Sequence, residues 1–195
     1  MKILGILGSP KKGGNSDILL DEVLRGARSK GAATEKIYLG DLDFKGCIEC
    51  GGCDKTGVCV LTDDMTPIYA KLKSADAVVL ASPVFFASIT AQLKAMIDRC
   101  QSEWVVKYKL KSKVKSNPLA GAGKAKGVFI CVGGHKEDTF FKTAKKTIEV
   151  FFKTMDIDFA GELFFGGVDK PGEIKKVKGA LKEAFALGQR IVGKE

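Results

Sequence analysis

Short apolar segments alternate with amphipathic ones along this chain, and this alternation constrains the fold more than any other feature. After the first apolar segment, Ile18, Leu19, Val23 and Leu24 recur at helical spacing. The apolar segments are KILGILG (2–8), TEKIYLG (34–40), DAVVLASP (76–83), KGVFICVGG (126–134) and IDFAGELFFGG (157–167). Five strands alternating with helices predict an α/β protein with a parallel sheet covered on both faces, because right-handed crossovers bury such strands.

Ligands of an open parallel sheet bind at the carboxyl ends of its strands. Three loops with suggestive residues follow predicted strands, and they are GSPKKGGNS (8–16), SPVFFASI (82–89) and GGHKED (133–138). We expect these three loops to meet at one edge of the sheet.

The first loop has the character of an anion site. It lacks the Lys and Ser or Thr of a P-loop, because Gly14 and Asn15 occupy those positions. It also lacks the glycine spacing of a dinucleotide fingerprint. A polar turn before a helix favours a phosphate, to which Ser9, Lys11, Asn15 and Ser16 offer donors or charge. Asn15 is also expected to cap the helix; taken alone, the loop is equally consistent with a plain capped helix start.

Four of the six cysteines are clustered between the second predicted strand and the next helix. They follow the pattern C-x2-C-x2-C-x5-C and are Cys47, Cys50, Cys53 and Cys59. Glycines that permit tight turns stand among them, at Gly46, Gly51, Gly52 and Gly57. This overlapping run favours a 4Fe-4S cluster over structural zinc, which usually takes two separated pairs of ligands. Zinc and unmetallated thiols remain the alternatives.

The first two loops resemble those of the flavodoxin-like, NADPH-dependent FMN reductases. The resemblance rests on GSPKKGGNS and on SPVFFASITAQLKAMIDR (82–99), and with the order of elements it spans nearly the whole chain. It implies a doubly wound five-stranded sheet of order 2-1-3-4-5 and an FMN phosphate in the first loop, where Gly14 also lies. It further implies that the isoalloxazine contacts Pro83, Val84, Phe85, Phe86, Gly133 and Gly134. The chain departs from the family at Phe85, where a tyrosine is common, and at Ala87, where a glycine is common.

A second resemblance comes from the cysteine segment, which is GCIECGGCDKTGVC (46–59). It makes the chain resemble the iron-sulfur flavoproteins, a branch of the same family. This resemblance implies a single FMN-binding domain over residues 1–195, with residues 40–65 as a cluster-binding insertion. It implies an FMN-dependent electron-transfer oxidoreductase, linked to NAD(P)H or ferredoxin, that acts as a homodimer or homotetramer. Acceptors would be small molecules such as quinones, oxygen or peroxide. No catalytic side chain is required, because the cofactors carry the chemistry.

Two other functions are compatible with the same residues. One is an NAD(P)H-dependent FMN or quinone reductase whose cysteines bind structural zinc or nothing. The other is a non-enzymatic flavodoxin-like carrier. Among the remaining candidates, Asp63 and Asp64 are expected at a helix start rather than on a metal, and Cys100 and Cys131 are expected to be packed thiols. His135 is the only histidine, and a direct role for it is not expected.

The net charge is +9, and much of the excess lies in a lysine-rich run at 107–127. That run contains no arginine and few aromatic residues, so we expect a solvated connection rather than a nucleic-acid surface. It could also attract an anionic dinucleotide or an acidic redox partner. No apolar run approaches the roughly 20 residues of a membrane span, and no export signal is recognised. A cytoplasmic protein without membrane or nucleic-acid partners is therefore expected.

Overall fold

The structure, a computed structural model, describes residues 1–111, 125–136 and 138–193. Its strands are β1 (Lys2–Leu7), β2 (Ala33–Tyr38), β3 (Ala77–Pro83), β4 (Ala125–Gly133) and β5 (Ile157–Gly166). Its helices are α1 (Asn15–Arg28), α2 (Thr66–Ser74), α3 (Ala91–Arg99), α4 (Gln101–Trp104), α5 (Asp138–Thr154) and α6 (Ala180–Val192). A π-helical turn (Val105–Lys109) continues α4, and 3₁₀ turns lie at Leu39–Asp41 and Glu173–Lys176.

All five strands are parallel and lie in the order β2-β1-β3-β4-β5, which confirms the predicted fold class. β1 pairs with both β2 and β3, so Ile3 is opposite Thr34 on one side and Ala77 on the other. The chain therefore reverses its direction of winding at β1. The loops after β1 and β3 emerge side by side there.

The sheet is buried on both faces, and alternate residues of a strand belong to different cores. Leu4 and Ile6 pack in the core that includes residues of α2, α3 and α5. Ile3 and Leu7 pack in the core that includes residues of α1 and α6. This explains why the strands read as continuous apolar runs rather than as alternating ones.

Two predicted helices differ from the structure. The apolar spacing of SITAQLKAMIDRCQSEW (88–104) predicts one helix, but α3 ends at Arg99 and Cys100 separates it from α4. The spacing in GEIKKVKGALKEAFALGQRIV (172–192) predicts a closing helix, but that segment starts as a 3₁₀ turn and α6 begins only at Ala180, after Gly179 takes a left-handed φ of 85°. In both places the apolar periodicity continues across a break in the backbone, which is why the pattern alone does not detect it.

The lysine-rich run lies partly outside the described residues, at 112–124. Three of its described lysines bind groups of this chain. Lys107 pairs with Asp156, Lys109 pairs with Asp54, and Lys126 donates to the carbonyl oxygen of Ile191. None of the described helices is long and apolar enough to cross a bilayer.

The contact between α1 and α6 yields a stability prediction. A Cβ atom on Gly188 would lie 1.9 Å from the carbonyl oxygen of Val23, so the two helices meet at a spacing that only glycine allows. Gly188→Ala should therefore destabilise the protein by about 2 kcal/mol through overpacking, although alanine is the better helix former by about 1 kcal/mol. Denaturant unfolding measures this, with the exposed Lys182→Ala on α6 as control. A stabilised Gly188→Ala protein would contradict the predicted contact.

Candidate functional site

A cavity of about 240 Å³ opens at the carboxyl edge of the sheet, where the loops after β1, β3, β4 and β5 converge. Every flavin-site residue predicted from the sequence lines it except Phe86, namely Ser9, Lys11, Gly14, Asn15, Ser16, Pro83, Val84, Phe85, Gly133 and Gly134. Phe86 lines a more open depression beside it, together with Phe85, Gly134 and His135. We call the first of these the edge cavity.

The loops after β1 and β3 are locked to each other by Thr90. Its hydroxyl donates to the carbonyl oxygen of Gly8 at 2.6 Å, and its backbone N–H donates to the hydroxyl of Ser82 at 3.1 Å. The backbone of Gly8 packs so closely on α3 that an added Cβ would lie 2.7 Å from the Cβ of Leu93. The spacing between the two sides of the edge cavity is therefore set by buried contacts.

The first loop presents the start of α1 to the edge cavity. Gly14 is the cap residue and Asn15 is the first residue inside the helix, so the expected capping role of Asn15 is wrong. Its amide is used elsewhere, donating to the carbonyl oxygen of Lys170 and accepting from the N–H of Ile174. The first turn of a helix has no intrahelical acceptors for its N–H groups, so those of Asn15 and Ser16 are available to an anion.

The second loop is a tight turn. Phe85 and Ser88 exchange two backbone hydrogen bonds of 2.9 Å, and both residues between them take left-handed φ values, 47° at Phe86 and 59° at Ala87. The ring of Phe86 is fully exposed at the tip. The left-handed backbone of Ala87 is the conformation in which the family's common glycine would carry no steric cost. Alanine at position 87 therefore keeps a backbone conformation that a glycine at this position would also adopt.

Sequence reasoning missed the loop after β5, which supplies Val168, Asp169 and Pro171 to the edge cavity. Glu173 shapes this loop by accepting from the N–H groups of Asp169 and Lys170, both at 2.9 Å, and these bonds lower the pKa of its carboxyl group. The rule that ligands bind at strand carboxyl ends would have pointed to this loop as well, because it too follows a strand. Pro10 and Val132 also line the edge cavity and were not predicted.

The four clustered cysteines line a second cavity, of about 330 Å³, which we call the cysteine cavity. All four are free thiols, Cys47 and Cys50 exposed and Cys53 and Cys59 partly buried. Among the expected tight turns, Gly51 and Gly57 take positive φ values, as does Glu49, whereas Gly46 and Gly52 do not. Burial raises the pKa of the Cys53 thiol, and the neighbouring Asp54, Cys47 and Cys59 raise it further.

The cysteine segment packs against the π-helical turn. A Cβ on Gly57 would lie 2.3 Å from the side chain of Val106, and Lys109 pairs with Asp54 at 2.5 Å. Within the described ranges, no group of three or more His, Cys, Asp or Glu side chains is arranged to hold a metal ion. The donor set nevertheless fits a thiolate-bound metal, because all four thiols face one cavity and none is used in a disulfide.

Two aspartates just after the cysteines hold the segment rather than face its cavity. Asp63 accepts from the N–H of Met65 and binds the guanidinium of Arg99, which lowers the pKa of its carboxyl group. Asp64 accepts from the N–H of Asp43 at 2.8 Å. Neither lines the cysteine cavity, in agreement with their expected role beside the start of α2. Arg99 does line it, and sequence reasoning did not single out this residue.

The remaining candidates lie away from the two cavities or at their margin. Cys100 and Cys131 are buried, as predicted for packed thiols, and burial raises the pKa of Cys131 to about 12. His135 contacts the edge of the Phe140 ring, with 5.3 Å between ring centroids.

The chain belongs to the NADPH-dependent FMN reductase family, whose model matches residues 1–135. Within that family it belongs to the iron-sulfur flavoprotein branch. An iron-sulfur flavoprotein of Methanocaldococcus jannaschii is 32% identical over 198 residues, covering 98% of this chain and 95% of the relative. One of Methanosarcina thermophila is 35% identical over 127 residues, covering 65% of this chain and 66% of the relative. The chain is accordingly an FMN-dependent oxidoreductase.

Solved structures agree on the fold. An NAD(P)H:quinone oxidoreductase from Methanothermobacter marburgensis matches with a TM-score of 0.75 at 17% identity, covering 100% of this chain and 98% of that one. An FMN-dependent NADH-azoreductase from Bacillus anthracis, solved in complex with FMN, matches with a TM-score of 0.68 at 17% identity, covering 99% and 100%.

The bridge made by Asn15 yields a binding prediction. Asn15→Ala removes two hydrogen bonds that hold the loop after β5 against the edge cavity, each worth about 1 kcal/mol. We expect the Kd for FMN to rise about tenfold, as measured by quenching of flavin fluorescence on titration with apoprotein. Glu22→Ala, which breaks only an exposed ion pair on the same helix, is the control. Unchanged affinity in Asn15→Ala would show that this loop does not shape the site.

Burial predicts which thiols react in the folded, metal-free protein. Iodoacetamide at pH 8 should label Cys47, Cys50, Cys53 and Cys59, with Cys53 slowed by its raised pKa. Cys100 and Cys131 should stay unlabelled until the chain is unfolded, because they are buried and protonated. Peptide mass spectrometry with and without denaturant measures this, and rapid native labelling of Cys131 would contradict the described core.

Proposed function

We propose that the protein is an electron-transfer flavoprotein that couples FMN in the edge cavity to a 4Fe-4S cluster held by Cys47, Cys50, Cys53 and Cys59. The observation that carries the proposal is the pairing of two cavities in one chain. One is lined by the residues that the family resemblance implies for FMN, and the other by all four clustered cysteines. The names of the relatives support the same pairing.

The flavin site would be formed by residues with three separate tasks. The N–H groups of Asn15 and Ser16, with Ser9 and Lys11, would hold the phosphate at the start of α1. Pro83, Val84 and Phe85 would supply an apolar wall for the ring, and Phe86 would stand beside it. Gly133 and Gly134 would let the β4 loop approach from the other side. When bound, FMN exchanges one or two electrons and an iron-sulfur cluster exchanges one.

The two cavities lie at opposite ends of α3. Thr90, which caps α3, binds Gly8 in the edge cavity's first loop, and Arg99, which ends α3, lines the cysteine cavity. Nine residues of helix span about 13 Å at 1.5 Å per residue. One rigid element would thus hold the cofactors at a fixed separation within a subunit.

Exposed apolar side chains support a homodimer or homotetramer. Ile48, Val58 and Val60 of the cysteine segment are each more than half exposed, and Phe86 is fully exposed at the other site. Large apolar side chains clustered around a site usually mark an interface. A second copy covering them would exclude water from both cofactors.

Electrons would come from NAD(P)H or ferredoxin and pass to a small acceptor such as a quinone, oxygen or peroxide. The free thiols are consistent with a reducing, cytoplasmic location. The organisation as one domain over residues 1–195, with residues 40–65 as its insertion, remains a prediction.

A reductase whose cysteines bind structural zinc, or no metal, is the second candidate. It would use the same four thiols, which line one cavity and are not joined in disulfides. Membership in a reductase family counts against a carrier without enzymatic activity.

Anaerobic purification followed by an absorption spectrum and an iron and sulfide count tests the cluster assignment. We expect flavin bands with a broad iron-sulfur shoulder and four irons per chain. Cys53→Ala should lose the iron while retaining FMN, because Cys53 lies outside the edge cavity. Cys131→Ala, which removes a thiol outside the cysteine cavity, should keep both cofactors. A yellow protein that contains zinc and no sulfide would refute the cluster and favour the second candidate.

A further inference from the structure

Arg99, the last residue of α3, is a charged side chain buried in the protein interior. Only 1% of its surface is exposed. Burying a guanidinium is costly unless nearly all of its N–H groups find acceptors and its charge is paired. The partners of Arg99 therefore show what its burial achieves.

Four of its five N–H groups bind residues that flank the cysteines. Nη1 donates to the carbonyl oxygen of Lys45 at 2.9 Å and to the Asp63 carboxylate at 2.5 Å. Nη2 donates to the carbonyl oxygen of Leu61 at 3.3 Å and to the other Asp63 oxygen at 3.1 Å. Lys45 precedes the first cysteine, and Leu61 and Asp63 follow the last. One guanidinium thus fastens both ends of the cysteine segment to α3.

The fifth N–H group, on Nε, is buried and has no hydrogen-bond acceptor among the described residues. Arg99 lines the cysteine cavity, whereas its counter-ion Asp63 does not. Of this ion pair, only the positively charged residue borders the cavity that the thiols line. Burial is the largest single effect on the pKa of Arg99 and lowers it, but the bond to Asp63 together with Tyr69 and Cys59 raises that pKa above its ordinary value.

A metal group held by four thiolates is net anionic, whether it is an iron-sulfur cluster or zinc. Such a group gains from a buried cation and from N–H donors directed at its sulfur atoms, because neither is screened by water there. Arg99 supplies a buried cation and an Nε–H group without an acceptor, and its other N–H groups hold both ends of the cysteine segment.

We propose that Arg99 is the positioning residue of the cysteine site, closing the cysteine segment around the bound metal group and supplying that group with a buried positive charge and the Nε–H donor. This inference rests on the proposed function only in requiring that the four cysteines bind a metal. The same role follows for a cluster or for a single ion.

Two variants separate the role of the charge from that of the hydrogen bonds. Arg99→Lys keeps a cation but loses the forked donors. The double variant Arg99→Met with Asp63→Asn removes the whole ion pair without leaving a buried carboxylate alone. Lys94→Met is the matched control, because Lys94 is an exposed cation of α3 that pairs with Asp98 away from the cysteine cavity.

Anaerobic Co²⁺ titration of the metal-free chain is followed by the absorption of the thiolate complex and by the fluorescence of Trp104, the only tryptophan, which lines the cysteine cavity. We expect both Arg99 variants to bind Co²⁺ at least about tenfold more weakly than the parent, and Lys94→Met to change less than twofold. In the iron-loaded protein, the double variant should show a more negative midpoint potential than Arg99→Lys, because the reduced cluster loses a stabilising cation.

The outcomes distinguish this inference from the cluster assignment. A parent protein that binds Co²⁺ but takes up no iron and sulfide refutes the cluster, and the Co²⁺ affinities still decide the role of Arg99. Wild-type Co²⁺ affinity in the double variant overturns that role, and so does a parent that binds no Co²⁺. Thermal unfolding shows whether each variant folds. If the double variant does not fold, the Co²⁺ affinity of Arg99→Lys decides the role of Arg99.

Discussion

Burial of a parallel sheet on both faces is the constraint on which the rest of this structure depends. Strands such as β3 are apolar along nearly their whole length and have no polar face on which to carry a site. Side chains with chemistry are therefore confined to the loops, and mainly to those at the carboxyl edge. The edge cavity forms there because the order β2-β1-β3 brings the loops after β1 and β3 together.

The sequence was sufficient for the features that are local. A run such as DAVVLASP predicts a buried strand. The glycine and serine residues of the first loop predict a helix start with free N–H groups. These features depend on residues close together in the chain, where spacing and propensity act directly. The misplaced cap at Asn15 has a different origin, because its amide is used by Lys170 and Ile174, which are more than 150 residues away.

Contacts between distant segments explain the other misses. Arg99 reads as an ordinary basic residue at a helix end, and only folding brings it to Lys45, Leu61 and Asp63. The loop after β5 is likewise held at the edge cavity by contacts that its own sequence does not reveal. One of them is the bond from the N–H of Val168 to the carbonyl oxygen of Gly133. In both cases the sequence shows the residues, but not the distant residues that they contact in the fold.

The cysteine segment illustrates how an element without a core of its own can still be held in place. It has no helix or strand between Asp41 and Thr66, and its apolar residues Ile48, Val58 and Val60 are exposed. Besides turns of its own, it is held by outside contacts, through Arg99 at both ends and through the π-helical turn that packs against Gly57. Since α3 also fixes the first flavin loop through Thr90, a change in the path of this helix would alter both cavities together. One helix thus contacts the surroundings of both cavities, through Thr90 at its start and Arg99 at its end.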